Sequence, residues 1–108
     1  MKLLTQEVRE RLPARYKENT PEPIVQVKFF TPDAGWTWYA TEGSPEDGDF
    51  IFFGYVQGVE PEWGYFSLRE LETVRGALGL PVERDRHLPF GGTSENVPIT
   101  VSVPAENL

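Results

Sequence analysis

Carboxylates and aromatic rings are the chemically capable groups of this chain, and they share one stretch. Twelve of the fourteen aromatic residues lie between Phe29 and Phe66. No lysine or arginine occurs between Lys28 and Arg69, yet that interval holds seven acids: Asp33, Glu42, Glu46, Asp47, Asp49, Glu60 and Glu62. Acids and bases balance over the other positions, so the formal net charge of −7 belongs to this block. Three kinds of chemistry are open to it. An acidic surface attracts cationic partners. Aromatic rings on strands stack sugars or bases. Carboxylates in groups bind hard cations or perform acid–base work.

Each has a plainer competitor. Glu46, Asp47 and Asp49, with Glu42 nearby, lack the twelve-residue calcium-loop pattern, so a solvated loop is the better account. A catalytic pair drawn from Glu42, Glu70, Glu72 or Glu83 needs a separation of roughly 5–9 Å across a substrate. Glu70 already has a structural use at a helix start. The single histidine, His87, sits in Arg84-Asp85-Arg86-His87 and reads as a loop residue. Alternating signs through Glu83-Arg84-Asp85-Arg86 read as a salt-bridged edge, with the grip of an acidic ligand as the alternative. No glycine-rich phosphate loop with a lysine, no Gly-x-Ser-x-Gly and no His-Glu-x-x-His occurs. The sequence therefore assigns no catalytic residue, no metal ligand and no cofactor.

Length and composition narrow the class. A chain of 108 residues is one domain by size. It has no cysteine, hence no disulfide framework, thiolate metal site or cysteine nucleophile. No apolar run reaches the roughly 18–20 residues that span a bilayer. The start turns polar at Thr5-Gln6-Glu7, unlike a secretory signal. These features predict a cytoplasmic protein. The acidic balance argues against direct nucleic-acid binding, which relies on Lys and Arg.

The elements that must position these groups follow from periodicity. Thr5 caps a helix from about Gln6 to Leu12, with Leu4, Val8 and Leu12 on one face and Pro13 at its end. Tyr16 joins that packing. Strands are predicted at Ile24–Phe30, Trp36 to about Glu42, Phe50 to about Gln57, and Trp63–Phe66. Gly43 to Asp49 is expected as a polar loop. Phe50-Ile51-Phe52-Phe53 is apolar on both faces, which predicts a central strand covered twice. Ser67-Leu68-Arg69-Glu70 reads as a capping box opening a helix to Ala77 or Leu78, with Leu68, Leu71, Val74 and Leu78 inward, Glu72 paired with Arg75, and Gly79 beyond the end. Pro81–Asp85 and Val97–Val103 are candidate edge strands. The prediction is α+β: an antiparallel sheet of four to five strands with two short helices packed mainly on one face. Residues 1–88 form the domain, and 89–108 are a Pro/Gly-rich extension.

Many dispersed residues resemble one family. They include Leu12-Pro13, Lys28-Phe29-Phe30-Thr31-Pro32, Gly35-Trp36-Thr37-Trp38-Tyr39, Phe52-Phe53-Gly54, Gly64-Tyr65-Phe66-Ser67-Leu68, Gly79-Leu80-Pro81 and Glu83-Arg84-Asp85. In this order they resemble an uncharacterised family of small bacterial proteins. The resemblance spans about Leu3 to Asp85 and does not extend into the tail after His87. It implies a setting on plasmids, conjugative elements or phage-like elements. It implies no catalytic residues.

Two classes of function stay open. The first is a non-enzymatic interaction protein, an inhibitor or decoy occupying a basic, nucleic-acid-binding surface of a host defence or DNA-processing protein. Its contact residues would be Asp33, Glu42, Glu46, Asp47, Asp49, Glu60, Glu62 and Trp63. The second is a small ligand-binding or hydrolytic domain with a platform of Trp36, Trp38 and Tyr39 beside Glu83 and Arg84, or beside Glu42. An accessory module for an operon neighbour is a third, blander role. An exposed edge strand would permit a homodimer.

Overall fold

The computed structural model describes residues 1–14 and 24–86. The chain runs through helix α1 (Gln6–Arg11), strands β1 (Val27–Phe30), β2 (Thr37–Glu46), β3 (Asp49–Gln57) and β4 (Glu62–Ser67), helix α2 (Leu68–Thr73) and strand β5 (Glu83–Arg84). The strands form one antiparallel sheet in the order β4-β3-β2-β1-β5. This is the predicted α+β architecture. Among the described residues no helix is long and apolar enough to cross a membrane. Tyr16, His87, the candidate strand Val97–Val103 and the expected domain boundary lie outside the described residues.

Local chemistry sets the helix starts. The Thr5 hydroxyl accepts from the Val8 N–H at 3.2 Å, satisfying one of the orphan donors of the first turn. Leu12 ends α1 in an extended conformation, as the residue before a proline prefers. At α2 the Ser67 hydroxyl accepts from the Glu70 N–H at 3.0 Å, and the Glu70 carboxylate accepts from the Ser67 N–H at 3.2 Å. Six-residue helices do not persist alone. Leu4, Val8 and Leu12 around α1, and Leu71 from α2, therefore pack into one cluster with Val27, Phe29, Trp38, Ala40, Phe50, Phe52 and Phe66 of the sheet. The opposite face carries a second, aromatic cluster in which Tyr39, Tyr55 and Trp63 meet, and Phe53 stacks on Trp63 at 5.7 Å. Strand β3 is thus apolar on both faces, as its sequence requires.

Strand β2 corrects the sequence prediction. It runs through Gly43, Ser44 and Pro45, where a polar loop was expected, to Glu46. The turn is only Asp47-Gly48, both with positive φ (50° and 79°), the geometry of a two-residue hairpin loop. A register shift between Ala40 and Glu42 leaves Thr41 as an extra residue. Strand β1 is shorter than predicted, starting at Val27, although Gln26 still donates to the Ala40 carbonyl at 2.9 Å. The edge strand expected at Pro81–Asp85 is realised as the two residues of β5, paired with Phe29 and Phe30.

Helix α2 also ends early, at Thr73 rather than Ala77 or Leu78. The Arg75 guanidinium turns back onto the Glu72 and Val74 carbonyls, not onto the Glu72 carboxylate. The chain then forms a narrow loop, with Gly76 N–H on the Leu80 carbonyl and a bridge from Arg75 to Pro81. Leu78, expected on the inward stripe, is 80% exposed. The competing partner is Asp33, whose carboxylate accepts from the Leu78 and Leu80 N–H groups at 2.6 and 3.3 Å.

Candidate functional site

The register places the β1–β2 and β3–β4 connections at one end of the sheet, since Phe30 pairs with Thr37 and Thr37 with Gln57. Trp36 lies there. Its backbone is held by the buried Thr31, whose hydroxyl accepts from the Trp36 N–H at 2.8 Å and whose own N–H donates to the Trp36 carbonyl at 2.9 Å. Its ring stacks on Trp38, with centroids 5.8 Å apart and planes 27° from parallel. On another side the ring lies against Gly58, where any Cβ would collide with it. Trp38 is buried, but Trp36 is 38% exposed. The result is an indole restrained by its backbone and its ring that still meets solvent.

Trp36 and Trp38 line an open cavity of about 420 Å³, with Val59, Glu60, Glu62 and Glu70 among its other walls. Among the described residues its lining contains three carboxylates and no basic side chain. Glu60 and Glu62 are exposed, and their carboxylates hold no hydrogen bond or ion pair among the described residues. Glu70 reaches the cavity while its carboxylate serves the α2 cap. Val59 is 87% exposed. This arrangement suits a cationic, flat group better than an anion.

The eight predicted contact residues do not form one surface. Glu60 and Glu62 join the Trp36 notch. Glu46, Asp47 and Asp49 sit at the far end of β3, whose nine residues span about 26 Å. Asp49 is structurally engaged. Its carboxylate accepts from the Phe50 and Arg69 N–H groups at 2.7 and 3.1 Å, and Arg69 donates to the Gly48 carbonyl. Lost hydration raises the Asp49 pKa. The two N–H groups, the Ser67 hydroxyl and the Arg69 guanidinium more than offset this and hold it below the ordinary value. Asp33 is committed to the loop after α2, and its second oxygen is buried without a donor among the described residues. Glu42 lies opposite Phe53 in the register. Trp63 belongs to the opposite face, between Phe53 and Tyr55, with its ring N–H buried and without a described acceptor.

The predicted ligand platform is likewise divided. Trp36 and Trp38 are together, but Tyr39 points to the other face. There it meets Tyr55 at 6.4 Å and lies under the Lys28 ammonium at 5.7 Å. Burial pushes the Tyr39 phenol up, and the nearby Tyr55 and Asp85 add to the shift. Glu83 and Arg84 line a separate cavity of about 400 Å³ beside Lys28 and Phe30. Lys28 is 3.9 Å from Asp85 there. The sequence reading missed Gly58, Val59 and the site role of Glu70. Extending the Trp38–Val56 pairing by two residues would have set Gly58 beside Trp36; Glu70 was named for a catalytic pair and for the helix cap, but not beside the tryptophans.

Comparison with known proteins adds a family and no activity. The family described as "Protein of unknown function (DUF2958)" matches residues 3–99, past the Asp85 limit of the sequence resemblance. No curated protein and no solved structure matches the chain.

Proposed function

The chain belongs to that uncharacterised family, and we propose that it is a non-enzymatic, cytoplasmic interaction protein that captures a basic protein surface at the Trp36 corner. One observation carries this: a partly exposed, rigidly held tryptophan shares a cavity with three carboxylates and, among the described residues, no base. Aromatic anchors fixed before binding lose little entropy on contact, and flanking charges set partner choice and association rate. The finer role is that of an inhibitor or decoy from a mobile genetic element, occupying a groove that a host defence or DNA-processing protein built for phosphates. Its support is the resemblance together with the clustered acids at this corner.

The test compares two charge-neutralised variants in pull-downs at low and high salt. Glu60→Gln with Glu62→Gln should abolish salt-sensitive capture, whereas Glu46→Gln with Asp47→Asn should retain it. Equal loss in both, or in neither, would remove the corner as the binding surface. Displacement of the captured protein by duplex DNA would support the decoy role, and indifference to DNA would remove it.

The stacked pair Trp36–Trp38 favours one second reading, a small planar ligand in the same cavity. Tyr39, Glu83 and Arg84 have no part in that version, because they line other surfaces.

A further inference from the structure

We infer that the notch receives the side chain of a single arginine from the partner, its guanidinium lying on the Trp36 ring and donating to Glu60 and Glu62. The inference rests on the interaction reading above and names the group recognised. A guanidinium is planar, weakly hydrated and permanently charged, so it stacks on an indole face and donates sideways to carboxylates at once. A lysine ammonium is a compact, strongly hydrated charge that gains less from a flat floor. The floor here is flat because Trp36 rests on Trp38 and against Gly58. Its position is fixed because the buried Thr31 grips both backbone groups of Trp36. The walls offer acceptors without a competing cation among the described residues, since none of those in the lining is basic. Val59, exposed on the same rim, supplies apolar contact for residues flanking the arginine. Carboxylates alone would attract any cation. The restrained ring makes the shape selective.

The experiment titrates three capped pentapeptides into the intact chain, identical except for a central arginine, lysine or citrulline. Citrulline keeps the planar shape and removes the charge. The readouts are the Trp36 indole N–H signal in NMR spectra and the affinity. The arginine peptide should shift that signal and bind about tenfold more tightly than the citrulline peptide, the scale of a charge-assisted pair, with lysine between them. Trp36→Ala should erase the preference. Gly58→Ala, which retains the tryptophan and every acid but displaces the indole, should weaken arginine more than lysine. Trp36→Phe keeps an aromatic floor and should restore part of the preference, which separates ring loss from misfolding. Equal, salt-sensitive binding of arginine and lysine that ignores Trp36→Ala would overturn the arginine notch and leave the acidic-corner reading standing. Equal binding of citrulline and arginine, or no shift with any peptide, would also overturn it. The pull-down variants at Glu60 and Glu62 then decide the broader reading independently.

Discussion

The Asp33 carboxylate accepts a 2.6 Å hydrogen bond from the N–H of Leu78, a residue 45 positions further along the chain. One turn between two strands thereby fixes the loop after α2, at the end of the sheet that carries Trp36. Asp33→Ala leaves the Leu78 and Leu80 N–H groups without this acceptor. It should cost about 1–3 kcal/mol in denaturant unfolding and speed hydrogen exchange at those two amides. Gly76→Ala should have a similar effect by a different route, since a Cβ there would collide with the same carboxylate. Unchanged exchange at Leu78 in both variants would show that the clamp does not hold the loop.

Gly54 and Gly64 face each other across β3 and β4, yet they should respond oppositely to a methyl group. A Cβ at Gly54 would run into the Tyr39 carbonyl of the adjacent strand, while one at Gly64 meets nothing within 4 Å among the described residues. Backbone in the middle of a sheet cannot yield as a side-chain tip can. Gly54→Ala should therefore lose about 3 kcal/mol or more, and Gly64→Ala should stay within about 0.5 kcal/mol of the parent. Urea midpoints compared at equal slope check the contrast.

Asp49 supplies a pH-dependent element of stability. Its folded pKa lies below the ordinary value of 3.8. Its contribution is therefore fully present above about pH 4, near the unfolded value, and is lost as pH falls through the lower folded value. Asp49→Asn should flatten the acid limb of a stability–pH curve relative to the parent and leave the alkaline limb alone. An acid limb of unchanged steepness would mean that other carboxylates carry it.

Features set by neighbours in the chain were legible in the sequence. The Thr5 cap, the Leu4–Val8–Leu12 stripe and the Ser67–Glu70 capping box all involve residues within a few positions of one another, and all formed. Features set by distant groups were not. The early end of α2 depends on Asp33, which no local window contains. The length of β2 depends on Thr41 slipping out of register, and a propensity argument sees only Gly43, Ser44 and Pro45 as strand breakers. The candidate site was half legible. The acids and rings stood out as a block, but a block in sequence is not a patch in space. A nine-residue strand separates Glu46 and Asp47 from Glu60 and Glu62, and strand alternation sends Trp38 and Tyr39 to opposite faces.

The surplus residue Thr41 inverts the parity of half a strand. Before it, even-numbered positions such as Trp38 and Ala40 look toward the helices; after it, odd-numbered Gly43 does, with Phe50 and Leu12 as its neighbours. Glu42 is thereby paired with Phe53, whose ring lies with Trp63 and Tyr65 on the far face. An uninterrupted count would have aimed its carboxylate beneath α1. The Thr41 hydroxyl secures the slip by donating to the Phe53 carbonyl at 3.2 Å. Deleting this one threonine would set Glu42 directly after Ala40, still opposite Phe53 and still on the far face by simple alternation, so the sheet should tolerate the loss. Replacing it with valine would keep the count and lose only one hydrogen bond. The slip, rather than the threonine side chain, thus decides which face Glu42 and Gly43 take.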